Sequence, residues 1–556
     1  RKTKYLYSDN GLLKTMIKPN GVLIDTYYNA AGKVRRVMSS DGTVDYTLDY
    51  DENGHICEAI DIIKGTLTVR HYDAEGFLIK EGLGNGLTLT SSYDEKGRRT
   101  ALTLPDGSKI GYGYDALHMK EIKRVDALGE TLYSHHYDSY DAHGRILIED
   151  LAGNLGQRST HYDQKNFVSI HTPYYSDTIV ERDPITGYPT KREIIDCDGR
   201  QEIAYSYDHK GQLTHESFPN EKNYSYDAFG NRVSDNDEEF HYEKGHHLSL
   251  GKGVSYIYDA CGNLAKKVDR EGTVTQFSYD ALDRLVKVFK NDQMIAEYIY
   301  DPFHRRIEKR IHQETIKFIW DGQLEIGAAD KNNTINELRI LGAGRSAEIG
   351  AMIGIELNHT PYVPIHDMTG SVRCLVSLED QTIFEQFSYT AFSEKEPSDE
   401  SLCPWRFSGK RVDSETGLIY FGRRYYDPMN ARWLTLDPLG YQDGPNRFVF
   451  VRNNPINHLD PYGLFITSLW NGLTGIHALK ESFADKLQSV AGFEQHLGSE
   501  LTTIFEATLG KGVLGLAGYY GERAEEGTYG QGEPASNVRI TLINGISNLR
   551  EHFSES

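Results

Sequence analysis

Thr43-Val44-Asp45-Tyr46-Thr47-Leu48-Asp49-Tyr50-Asp51-Glu52-Asn53-Gly54 holds one strand and its exit. Val44, Tyr46, Leu48 and Tyr50 alternate with Thr43, Asp45, Thr47 and Asp49, the period of two that gives a strand one apolar face. Asp51 and Gly54 then stand at i and i+3 of a type I turn, whose carboxylate accepts from nearby backbone N–H groups. The phrase Tyr-Asp-x-x-Gly recurs about every 21 residues. Clean copies open at Tyr50, Tyr72, Tyr93, Tyr140, Tyr207, Tyr226 and Tyr258, and degenerate ones at Tyr7, Tyr28, Tyr114, Tyr162, Tyr242, Tyr279 and Tyr300.

Between the copies lie Asn20-Gly21, Asp41-Gly42, Asn85-Gly86, Asp106-Gly107 and Asp198-Gly199, dipeptides that predict two-residue hairpin turns with positive φ. Each repeat is therefore two strands. About 14 repeats give about 28 strands of roughly 25 Å, too many for a flat open sheet. The expected fold is all-β: a long antiparallel sheet that spirals into a hollow shell. Composition agrees, with 37 Tyr and 53 Gly in 556 residues but only 38% hydrophobic residues. That is material for turns and aromatic ladders around a thin apolar layer.

A net charge of −21 argues against nucleic acid or an anionic membrane as a primary partner, since both require basic surfaces. Cys57, Cys197, Cys261, Cys374 and Cys403 are odd in number and dispersed, so neither a disulfide scaffold nor a Cys-x-x-Cys site is expected. No apolar run approaches the length of a membrane span. The chain starts mid-repeat without a signal peptide and is expected to be part of something larger.

The repeats resemble the YD repeats of Rhs proteins, of the C component of insecticidal toxin complexes and of teneurins. Residues 405–464 resemble the Rhs-associated core along their whole length. The marks are Gly417-Leu418-Ile419-Tyr420, Arg424-Tyr425-Tyr426-Asp427-Pro428, Arg432-Trp433, Asp437-Pro438-Leu439-Gly440, Asn453-Asn454-Pro455 and Asp460-Pro461-Tyr462-Gly463-Leu464. Ala431 departs from the pattern, where Gly is usual.

The resemblance implies a shell (1–310, continued by 311–404) closed by a core (405–464) that cuts the chain between Leu464 and Phe465. The remainder (465–556) would be a variable C-terminal passenger, incomplete here. It implies aspartic-type self-proteolysis in a single turnover by Asp437 and Asp460, with Leu464 supplying the scissile carbonyl. The implied partners are the chain's own passenger and an upstream shell-completing segment or delivery machinery. The implied location is a bacterial cytoplasm for synthesis, then secretion or surface delivery.

The chemistry stands apart from the family. Two close carboxylates do not both ionise cheaply, so one keeps its proton and polarises a carbonyl while the other activates water. Pro438 and Pro461 fix the backbone after each Asp, and Gly440 and Gly463 permit tight turns. Arg432, Arg447 and Arg452 are candidates to orient a carboxylate. The competing reading makes each Asp-Pro-x-Gly a turn whose Asp only caps N–H groups.

No metal or cofactor site is expected. His71, His136 and His161 sit at repeat positions, and His241, His246 and His247 lack ligand spacing. Gly510-x-Gly512-x-x-Gly515 has no preceding strand or βαβ unit. Residues 468–507 show helical periodicity, and 537–553 read as a strand and helix opening an α/β domain. The alternative function is a teneurin-like adhesive or interaction scaffold in which the core does not cut.

Overall fold

The computed structural model describes residues 2–163, 166–343, 349–394, 401–464 and 466–468, all within the unit Arg1–Thr508. The strand expected in the opening stretch runs Asp45–Tyr50, with Tyr46 and Leu48 buried and Asp49 exposed. It pairs antiparallel with Val34–Ser39 through Val37↔Tyr46 and with Ile56–Asp61 through Leu48↔Ala59. The pattern continues without a crossover. From Lys4–Tyr7 to Ile383–Gln386, 37 strands among the described residues form one meander, each pairing with its sequence neighbours. The twenty-ninth ends at Tyr300, against about 28 expected from the repeat count.

Both edges of this ribbon are closed by the same turn. At the Tyr-Asp edge, Asp51 N donates to His55 O (2.9 Å) and Gly54 N to Asp51 O (3.0 Å). Asp51 Oδ1 accepts from Asn53 N (3.0 Å) and His55 N (2.8 Å). At the opposite edge, Leu83 N donates to Leu87 O and Gly86 N to Leu83 O, both at 2.8 Å. Gly21, Gly86 and Gly107 have positive φ while Asn20, Asn85 and Asp106 do not. The expected two-residue turns are therefore corrected at these sites to three-residue loops, a type I turn followed by a left-handed glycine. Two-residue loops with positive φ at both positions occur instead at Asn291-Asp292 and Asn358-His359.

The repeat tyrosine has a role that periodicity did not disclose. Its hydroxyl donates back to a carbonyl 15 or 16 residues earlier in the chain. Tyr28 reaches Leu13 O (2.8 Å), Tyr50 Val34 O (2.7 Å), Tyr93 Leu78 O (3.0 Å), Tyr279 Leu264 O and Tyr300 Leu285 O (2.8 Å each). Trp320 Nε1 does the same to Arg306 O at 2.9 Å. Each ring is thus half apolar packing and half a hydrogen bond that ties consecutive hairpins together.

The ribbon returns over itself. Lys18 Nζ reaches Ala281 O and Asp283, Asn85 Nδ2 reaches Ile307 O, Arg124 pairs with Glu356, and Met368 N donates to Asp177. The first partner pair is 263 residues apart in sequence and the last 191. Where layers meet, the phrase is buried: Arg305 and Asp301 are 0% exposed, and Arg305 bridges Asp301 (2.7 Å) and Glu81 (2.9 Å). This winding is the spiral expected from the strand number.

Within residues 405–464 a second, four-stranded sheet is built of Arg411–Asp413, Leu418–Tyr420, Tyr425–Asp427 and Arg432–Trp433. Phe421, Tyr426, Trp433 and Phe450 pack with centroids 4.4–6.0 Å apart. These residues cover a row of Tyr-Asp turns. Asn454 Nδ2 donates to Gly211 O (2.6 Å), Asn453 Nδ2 to Gly230 O (2.8 Å) and Arg432 Nη2 to His246 O (2.6 Å). Buried Asp413 takes Arg306 and Lys309 from the shell, and although burial would raise its pKa these two cations hold it down to about 2.

Ala431 has φ 52°, the left-handed region that explains why glycine is usual there. The helical readings of 469–507 and 537–553 lie outside the described residues. Thr467–Ser468 is a short strand.

Candidate active site

The strand His458–Leu459 delivers the chain to Asp460 and pairs with Thr467–Ser468 after it, through Leu459↔Thr467. Asp460 Oδ1 accepts from Leu464 N (2.9 Å) and Tyr462 N (3.3 Å). Three successive carbonyls before Leu464 are also held. Pro461 O accepts from Lys410 Nζ (2.5 Å), Tyr462 O from Arg423 N (3.1 Å) and Gly463 O from Arg424 Nε (2.6 Å). Gly463 has φ 70°, and a Cβ there would meet Arg424 N at 3.1 Å, so the close approach needs glycine.

Asp437 lies on a second tight loop. Its N–H donates to Arg447 O (3.1 Å), its Oδ1 accepts from Leu439 N (2.8 Å), and Gly440 N donates to its carbonyl (3.1 Å). The two aspartates expected from sequence are brought together by an arginine that sequence reading did not select. Arg424 Nη2 stands 3.0 Å from Asp437 Oδ2 and 3.1 Å from Asp460 Oδ2. The two oxygens are thus at most about 6 Å apart, close enough for Asp460 to raise the proton affinity of Asp437. All three side chains are buried, and Arg424 lies over the Trp433 ring at 4.2 Å.

Burial raises the Asp437 pKa, Arg424 opposes the rise, and Asp460 and Asp443 add to it, leaving it at about 6. This carboxyl therefore holds a proton far above the usual range. Beside the pair is a cavity of about 20 Å³ bordered by Arg424, Trp433, Asp437, Asp443, Asp460 and Ile466, room for one water with several polar partners.

Of the other arginines, Arg447 and Arg452 border the same cavity, and Arg432 is held against the shell. Arg432 donates to His246 O and lies over Phe448 at 4.8 Å. Arg447 offers its carbonyl to Asp437 N while its guanidinium lies over Tyr441. Arg452 Nε donates to Asp443 O at 3.0 Å. Gly440 and Gly463 both have positive φ. Phe465 lies outside the described residues.

Lys410, Arg424 and Asp443 were the residues missed. Arg424 was legible as part of a core motif, but no spacing rule says which arginine turns toward carboxylates on two later loops. Among the described residues, no group of three or more His, Cys, Asp or Glu is placed to hold a metal, and all five cysteines are free.

A winding antiparallel ribbon joined to a small four-stranded sheet defines a YD-repeat shell protein. The family model of the teneurin YD-shell matches residues 188–456, and that of the RHS repeat matches 72–109 and 93–131. The chain belongs to the Rhs/YD-repeat family.

The tRNA3(Ser)-specific nuclease WapA of Bacillus spizizenii is 26% identical over 393 residues, covering 64% of this chain and 16% of WapA. The toxin subunit YenC1 of Yersinia entomophaga is 50% identical over 76 residues, 14% of this chain and 7% of YenC1. The double-stranded DNA deaminase toxin A of Burkholderia cenocepacia is 26% identical over 435 residues, 71% of this chain and 30% of that toxin. The crystal structure of TcdB2-TccC3-Cdc42 shares the fold, with a TM-score of 0.64 at 18% identity over 88% of this chain and 28% of the other. The chain thus spans under a third of the length of each of these proteins.

Among the described residues no helix is long and apolar enough to cross a membrane.

Proposed function

We propose that this chain is the shell-and-core part of a toxin whose core cuts its own backbone once, between Leu464 and Phe465, to free a C-terminal effector held by the shell. One observation carries the reading: Arg424 draws two buried carboxylates together while one of them, Asp460, accepts the amide hydrogen of Leu464. A capping aspartate needs neither a carboxylate partner nor a shared cation.

The reaction is hydrolysis of one peptide bond. Protonated Asp437 donates to the Leu464 carbonyl, and Asp460, paired with Arg424, takes a proton from the attacking water. The hydroxide oxygen bonds to the Leu464 carbon, the bond to the Phe465 nitrogen breaks, and the amine leaves with the transferred proton. Three pinned carbonyls ahead of the bond supply the orientation, so little motion remains to be frozen at the transition state.

The relatives named as a tRNA nuclease and a DNA deaminase toxin support an effector beyond the core, with an upstream segment or delivery machinery as partner and secretion as the route. The net charge of −21 disfavours the shell itself as a nucleic-acid surface. The test is intact-mass spectrometry of the purified chain beside Asp437→Asn and Asp460→Asn. The expected result is a wild-type mass split after Leu464 and a full-length mass in either variant. An uncut wild type would move the function to a scaffold whose two motifs are turns.

A further inference from the structure

A third carboxylate stands on the far side of the proposed cut. Asp443 Oδ2 accepts from Ile466 N at 3.0 Å, and Asp443 borders the same small cavity as Asp437 and Asp460. On the near side, Asp460 Oδ1 accepts from Leu464 N at 2.9 Å. The N–H groups of Leu464 and Ile466, in the peptide units on either side of the proposed cut, are therefore each fixed by a different aspartate.

We infer that Asp443 is a positioning residue for self-cleavage, clamping the leaving side of the chain through the Ile466 amide. The inference rests on the proposed cut after Leu464. The loop carrying Asp443 is itself held, because Gly444 N donates to Tyr441 O (3.2 Å) and Arg452 Nε to Asp443 O (3.0 Å). Beyond the clamp, Leu459↔Thr467 pairing continues the restraint. A peptide bond anchored on one side only swings about the anchor, whereas two anchors hold its carbonyl carbon in reach of water. Misplacement by about 1 Å is worth on the order of 100-fold in rate.

The clamp needs an acceptor oxygen at position 443 and not a charge, which separates it from an electrostatic role. Pulse-labelled full chain is followed by intact mass as wild type, Asp443→Ala and Asp443→Asn, with thermal melting to show that each variant is folded. The expected result is cleavage slowed about 10- to 100-fold in Asp443→Ala and restored to within about threefold in Asp443→Asn, whose side-chain oxygen still accepts from Ile466 N. Removing the neighbouring charge should also move the upper limb of the Asn variant's pH profile to lower pH.

A folded Asp443→Ala that cuts at the wild-type rate would overturn the clamp, as would Asp443→Asn failing to rescue. An uncut wild type would overturn the cleavage reading itself, a different outcome from either.

Discussion

The proton on Asp437 sets the pH at which the chain should cut itself. Burial and the neighbouring carboxylates outweigh Arg424 and leave its pKa at about 6. The proposed role requires the protonated form, so the rate is full below that pH and falls as pH rises through it. With one titrating group the protonated fraction drops about tenfold from pH 5 to pH 7 and about 100-fold by pH 8.

The assay starts from chain recovered unfolded and uncut, diluted into buffers from pH 5 to 8, with aliquots quenched for intact mass. Tryptophan fluorescence normalises each rate to the folded fraction, since Trp405 and Trp433 are buried. Asp437→Asn should give no cut at any pH. A rate that rises through pH 6 would make Asp437 the base and refute the assignment of roles. A flat profile would refute titration of the pair in this range.

Three further outcomes follow from the packing. Ala431→Gly should stabilise the core by about 1 kcal/mol in chemical denaturation, because alanine at φ 52° carries a left-handed penalty that glycine lacks. Tyr93→Phe deletes the hydroxyl that donates to Leu78 O and should cost about 1 kcal/mol, with strand content unchanged by circular dichroism. Buried Glu216 accepts from Tyr224 and Ala391 N beside Glu394, and burial pushes its pKa up to about 8. Its folded pKa lies above its unfolded one, so the stability it contributes is present in acid and lost as pH rises from 4.5 to about 8. Melting of Glu216→Gln across that window should be less pH-dependent than wild type, by up to about 5 kcal/mol.

Much of the candidate site was legible because its residues lie in short motifs. Asp437 and Asp460 each precede a proline and a glycine that force a tight loop, and both do form such loops. Arg424 was not selected, because its role depends on the fold of the core bringing two loops to one guanidinium. Arg432, Arg447 and Arg452 had equal claims in sequence; Arg432 is turned to His246 O, whereas Arg447 and Arg452 border the cavity beside the aspartates, Arg452 holding Asp443 O. The turns at Asn20-Gly21 and Asn85-Gly86 were read one residue short. Asn-Gly also suits a type I turn closed by a left-handed glycine, and the dipeptide alone does not distinguish the two.

Sequence by itself determined the meander, because strand alternation and turn residues act over a few neighbours and recur with the repeat. It also determined which carboxylates to suspect. The tertiary structure alone decided where layers meet, as at Lys18 and Asp283 or Asn85 and Ile307, since those pairings depend on the accumulated twist of many strands. It alone decided the proton on Asp437 and the pinning of the chain beside Leu464. Proton affinity and orientation are set by burial and by charges brought close in space, and no local pattern records which distant residues arrive there.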